Sequence, residues 1–180
     1  YGLCPEEEGF TRVPAQIAAD TSPSVAVLAK HMSGVRLRFS TDSPYVAIQV
    51  KMHSVTHLSH MPLSGTSGLD LYIDTENGSY HRATFVPPYD MKDGYESIAY
   101  LPSGRTHNIT IHLPLYNEVS ALYIGVAEGS SIGEGLSYQP KDPILFYGSS
   151  ITQGGCASRP GNAYVNMVAS ILNRDIRCSR

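Results

Sequence analysis

Apolar and polar residues alternate along residues 24–126 in short runs broken by Gly, Pro and Asn, the period-two pattern of half-buried strands. Val35, Leu37 and Phe39 alternate with Arg36, Arg38 and Ser40, and Val46, Ile48, Val50 and Met52 with Ala47, Gln49 and Lys51. Leu69, Leu71 and Ile73 alternate with Asp70, Tyr72 and Asp74. Asn77-Gly78 predicts a type I′ turn that returns Tyr80 to Phe85 as a hairpin partner. Further strands are predicted at Tyr95–Tyr100, Asn108–Leu113 and Ala121–Val126. Strands this short and evenly spaced predict a β-sandwich over residues 1–140. The Gly- and Ser-rich residues 127–142 read as a linker.

The pattern changes over residues 141–180. Ile144-Leu145-Phe146-Tyr147, bounded by Pro143 and Gly148, is a continuous apolar run that suits a strand buried on both faces of a parallel sheet. Tyr164, Met167, Val168, Ile171 and Leu172 fall at helical spacing and predict an amphipathic helix over 162–173. Between strand and helix, Gly148-Ser149-Ser150 supplies a tight turn with a hydroxyl. Strand, glycine turn with serine, then helix is how α/β hydrolytic folds present a nucleophile. Ser150 is therefore the candidate catalytic residue, and the backbone N–H groups of Ser150 and Ile151 are candidate oxyanion donors. The bland alternative is a hydroxyl capping a helix.

Gly148-Ser149-Ser150-Ile151-Thr152-Gln153-Gly154 resembles block I of the SGNH (GDSL-type) hydrolases, with Ser149 where that family commonly has Asp. Gly154 to Gly161 is similar to one subgroup, whose N-terminal β-domain carries a Gly-x-Asp-Leu-Tyr signature, here Gly68-Leu69-Asp70-Leu71-Tyr72. Two motifs in the right order make the match specific. The resemblance implies a mainly β chain: a jelly-roll-like β-sandwich followed by the first βα unit of an SGNH (flavodoxin-like) α/β hydrolase domain. It implies a carboxylic-ester hydrolase that removes acyl groups, commonly acetyl, from carbohydrates or other small esters, without metal or organic cofactor. Family members draw a Gly and an Asn for the oxyanion hole, and an Asp-x-x-His base, from later blocks. The chain therefore reads as the N-terminal part of such an enzyme, with no turnover by itself. The rival reading is a non-catalytic carbohydrate-binding module.

After Asp175 the run Ile176-Arg177-Cys178-Ser179-Arg180 does not look like a buried parallel strand. With no further strands to cover it, the helix is expected to fold back on the sandwich or to meet a second copy of the chain, burying Met167, Ile171 and Leu172. That leaves a homo-oligomer open.

Asp70 and Tyr72 have two readings, substrate contact at the domain junction or, for Asp70, service to backbone donors, which is favoured. Tyr72, Tyr80, Tyr89, Tyr95 and Tyr100 form a candidate sugar-stacking platform, against the commoner case of outward-facing strand tyrosines. His53, His57 and His60 would share a helix face as metal ligands, but Val55, Thr56 and Pro62 favour a loop and no metal site is assigned.

Residues 1–140 hold 8 Lys/Arg and 14 Asp/Glu, net −6, and residues 141–180 hold 5 and 2, net +3. The long first region has no basic patch, which argues against nucleic acid. No apolar run is long enough to span a bilayer. Three cysteines, Cys4, Cys156 and Cys178, do not make a disulfide framework, and Cys156 reads as a small buried packing residue. A chain opening at Tyr1 without Met reads as a processed or trimmed product; a secreted or periplasmic location is expected, although no leader is visible from which to read export.

Overall fold

The computed structural model describes residues 1–179, with side chains through Cys178. Two short helices come first: α1 (Ala15–Thr21) and α2 (Pro23–Leu28). They were not expected. Ser22 caps α2, its side chain accepting from the Val25 N–H at 3.2 Å, and Pro23 starts the helix where its missing N–H costs nothing.

The sandwich pairs a five-stranded sheet, in the order β4-β3-β6-β1-β8, with a three-stranded one, β5-β2-β7. The strands are β1 (Arg36–Thr41), β2 (Tyr45–Lys51), β3 (Leu69–Thr75), β4 (Gly78–Phe85), β5 (Tyr95–Tyr100), β6 (His107–His112), β7 (Ala121–Gly125) and β8 (Ile132–Glu134). Every pairing within these two sheets is antiparallel. The four-residue helix α3 (Leu63–Thr66) precedes β3.

Leu69, Leu71, Ile73, Ile109 and Ile111 of one sheet meet Val46, Ile48 and Val50 of the other in a single core. Each such side chain contributes about 1.5–3 kcal/mol by leaving water. The hairpin turns at Glu76-Asn77, and Gly78 alone takes a positive φ, 128°, so the type I′ turn is not formed. Residues 127–142 are more than a linker, because Ile132–Glu134 pairs with β1 at Phe39–Thr41.

The α/β part begins with β9 (Ile144–Tyr147), followed by α4 (Ser150–Gln153), a 3₁₀ turn at Pro160–Asn162, α5 (Tyr164–Leu172) and β10 (Ile176–Ser179). Contrary to expectation, residues 176–179 do form a strand, parallel to β9 with Ile176 opposite Ile144. Ile176 and Cys178 turn inward, while the Arg177 guanidinium reaches the Leu3 carbonyl. One covered face suffices for such a strand. The reading of β9 as buried on both faces also fails within this chain, since Leu145 and Tyr147 are exposed.

Helix α5 folds back on the sandwich, but through Val165, Asn166 and Ala169. Met167, Ile171 and Leu172 are exposed, at 49%, 77% and 47%. The helix is apolar on two sides, and its smaller side chains are the ones that fit against Leu115, Tyr116 and Met61.

Candidate active site and the junction behind it

Ser150 is the first residue of α4, with Ser149 in extended conformation (φ −88°, ψ −160°) as its N-cap. No cap hydrogen bond is made by the Ser149 side chain, and Ser150 is exposed. Its hydroxyl has no hydrogen-bond partner among the described residues. The turn is tight. A Cβ on Gly148 would come within 2.3 Å of the Thr152 hydroxyl, so only glycine fits there. Gly154, at φ 102°, ends the helix in the left-handed region and packs on Leu115 and Ala163. Cys156 follows, also in the left-handed region at φ 64°. It is exposed rather than buried, and none of the three cysteines is paired.

Both peptide planes around Ser150 are tied down. The Ser150 carbonyl accepts from the Gly155 N–H at 2.7 Å and from the Tyr116 hydroxyl at 3.1 Å. The Ser149 carbonyl accepts from the Gln153 N–H at 3.2 Å. Gln153 is fully buried and held from the sandwich side: its Nε2 donates to the Leu115 carbonyl at 2.9 Å, and its carbonyl accepts from the Ser33 hydroxyl at 2.7 Å. Tyr116 and Leu115 sit on a loop that is itself fixed. Tyr116 N–H donates to the Thr66 carbonyl, and the Tyr116 carbonyl accepts from the Thr56 hydroxyl. None of Ser33, Leu115, Tyr116 or Gln153 was singled out from sequence, because each acts across a long separation in the chain.

Asp70 lies elsewhere, on the outer face of the five-stranded sheet and without exposure. One of its oxygens accepts from the Thr84 hydroxyl at 2.6 Å and the other from the Gly161 N–H at 2.8 Å. Arg159 Nε stands 3.3 Å from the second oxygen, off the hydrogen-bond line, and His81 Nε2 is 3.6 Å from the first. Burial raises the Asp70 pKa, against the pull of these donors and cations. The carboxylate thus serves a backbone donor of the second region.

Tyr72, half-buried, lies under that same segment: a Cβ on Gly161 would strike its ring at 2.3–2.6 Å. Burial and the nearby Asp70 raise its hydroxyl pKa. Tyr80 stands opposite Ile73, the next residue along β3, and the other three tyrosines do not join Tyr72. Tyr95 is buried with its hydroxyl on the Phe85 carbonyl, Tyr89 lies against His57, and Tyr100 faces out from the three-stranded sheet beside Tyr45. His53, His57 and His60 are exposed in loops, and no cluster of metal-binding side chains occurs among the described residues.

The same outer face carries Arg36, whose guanidinium is sealed. It donates to Asp175 Oδ1 at 2.5 Å, to the Tyr138 hydroxyl at 2.6 Å and to the Gly34 carbonyl at 2.5 Å. Between Arg36 and Asp70 in the register stands His112, held neutral by burial and then by Arg36 and Arg38, its pKa lowered to about 3. His112 and Asn166 line a cavity of about 200 Å³ between sheet and α5. A larger concavity of about 750 Å³ opens by the β3–β4 hairpin and does not include Ser150. The catalytic candidate is therefore marked by backbone geometry, not by a pocket.

A family model described as the N-terminus of SGNH-hydrolase-type esterases, GxDLY, matches residues 2–132. A second, the GDSL-like lipase/acylhydrolase family, matches residues 141–177. Among solved structures, one named as a GDSL-like lipase from Bacteroides ovatus is 28% identical with a TM-score of 0.88, covering 97% of this chain and 51% of that one. The salicylyl-acyltransferase SsfX3 of a tetracycline biosynthetic pathway is 26% identical, TM-score 0.69, over 93% of this chain and 45% of that one. A family two carbohydrate esterase from Clostridium thermocellum shares the fold at 14% identity, TM-score 0.53, over 83% and 45%. The chain spans about half the length of these structures. No curated protein sequence matches it significantly.

Proposed function

This chain belongs to the SGNH-type esterases that open on a GxDLY domain, and on that premise we propose that Ser150 is the nucleophile of an ester hydrolase. The observation that carries the reading is the strand–turn–helix from Ile144 to Gln153, with Ser150 exposed at the first position of α4. Its Oγ would bond to the acyl carbonyl carbon while its proton passes to a base. The resulting oxyanion would face the N–H groups of Ser150 and Ile151, which have no partner within the helix. Collapse would release the alcohol with a proton, leaving an acyl-serine. Water would then add to that ester and release the acid and the free serine. The family pattern places the base, a His oriented by an Asp, in a later block. A lipase, an acyltransferase and a carbohydrate esterase, as the neighbours are named, share by name only the handling of acyl groups. Acylated carbohydrate is the substrate class we favour, and it rests on the family resemblance rather than on a pocket.

Treating the full-length protein with a fluorophosphonate and locating the adduct by mass spectrometry tests the nucleophile. The label should sit on Ser150 and vanish in Ser150→Ala. A label that persists in that variant would sink the assignment.

A further inference from the structure

We infer that the β-sandwich is part of the catalytic machinery: Tyr116 and Ser33 are positioning residues that aim the Ser150 and Ile151 N–H groups at the place where the oxyanion forms beside the nucleophile. This rests on the reading of Ser150 given above.

A trans peptide is planar, so fixing its carbonyl oxygen fixes the direction of its N–H. The Ile151 N–H shares a plane with the Ser150 carbonyl, and that carbonyl is pinned by the Tyr116 hydroxyl at 3.1 Å and by Gly155 at 2.7 Å. The Ser150 N–H shares a plane with the Ser149 carbonyl, which is pinned by the Gln153 N–H. Gln153 is in turn anchored by Ser33 through its carbonyl and by Leu115 through its side chain. Both planes that flank the nucleophile therefore end on the sandwich.

Helix α4 is only four residues long and could not hold this geometry by itself. The sandwich side is rigid where it touches. Ser33 has no exposure, and Tyr116 is buried on a loop bonded at Thr56 and Thr66. A hydrogen bond accepted by a carbonyl also polarises its amide, which makes the N–H a better donor to a developing anion. Removing either tie leaves substrate contacts intact but loosens the donors, so the loss belongs in kcat rather than KM.

The test uses full-length Tyr116→Phe and Ser33→Ala, each of which deletes one hydroxyl and little volume. Turnover of 4-nitrophenyl acetate and the rate of fluorophosphonate labelling are followed together, with Tyr123→Phe, on the far face of the sandwich, as control. Each positioning variant should lose about tenfold or more in kcat and in labelling rate, toward the roughly hundredfold that a group misplaced by about 1 Å can cost, with KM held within about twofold. If Tyr116→Phe fails to fold, Ser33→Ala decides alone. Unchanged kcat in the folded variants, with Ser150→Ala still inactive, would overturn the positioning role and leave the nucleophile standing. Activity surviving in Ser150→Ala would overturn both.

Discussion

On the inner face of the five-stranded sheet, Leu71 and Ile111 lie opposite each other with no exposure. One residue back along β3 and one on along β6, Asp70 and His112 do the same on the outer face, at 0% and 6%. The first pair is sealed by the other sheet of the sandwich, through apolar contact. The second is sealed by residues 138–175, through ions and hydrogen bonds: Asp175 and Tyr138 on Arg36, and Gly161 and Arg159 on Asp70. Alternation along a strand tells which face a residue takes. It does not tell whether that face is wet. A polar face is buried here because a second region brings the complementary groups, an arrangement that fixes register more than it adds stability.

The strongest challenge to this comparison is a matched pair of substitutions on β3, followed by urea unfolding of the full-length protein. Leu71→Ala should lose about 2–5 kcal/mol, as buried leucines do. Asp70→Ala, which strands the Gly161 N–H and takes the carboxylate away from the Thr84 hydroxyl and the Arg159 cation, should lose about 3 kcal/mol. A loss under about 0.5 kcal/mol at Asp70, the level of an ordinary surface site, would mean that the polar face is not a sealed interface.

A smaller effect concerns pH. His112 has a folded pKa of about 3 against an ordinary 6.5, so the unfolded chain takes up the proton first. Its contribution is present in full above pH 6.5 and is lost as pH falls toward 3. That amounts to about 2 kcal/mol between pH 6.5 and 5. Asp70, with its raised pKa, acts in the opposite sense at the acid end. Comparing unfolding of the wild type and His112→Gln across this range isolates the histidine. The variant should show the shallower slope, and equal slopes would contradict the buried neutral imidazole. Smallest of all, Tyr123→Ala on the open face of the three-stranded sheet should shift stability by no more than about 0.5 kcal/mol.

Much of this fold is legible in the residues. β2 and β5 follow the alternation closely, because one side of each packs on the core and the other faces water. The strand–turn–helix around Ser150 was legible too, since an apolar run ending in glycine marks a strand that stops at a tight turn. Besides the short helices α1, α2 and α3, three elements were not. β8 has only three exposed residues and gains its identity from β1. α5 has two apolar sides, and only the shape of its neighbours selects one. β10 needs a single covered face, so its arginine is no obstacle. The ties at Ser33 and Tyr116 lie 120 and 34 residues from their partners, where no local pattern can show them.

The claim that the polar face is a built junction is tested most directly by a double-mutant cycle across it, Arg36→Ala with Asp175→Ala, read by unfolding of the full-length protein. The two side chains belong to different regions and meet at 2.5 Å with Arg36 sealed. The account predicts that they couple, by about 1–3 kcal/mol. Additive losses, with coupling below about 0.3 kcal/mol, would contradict it.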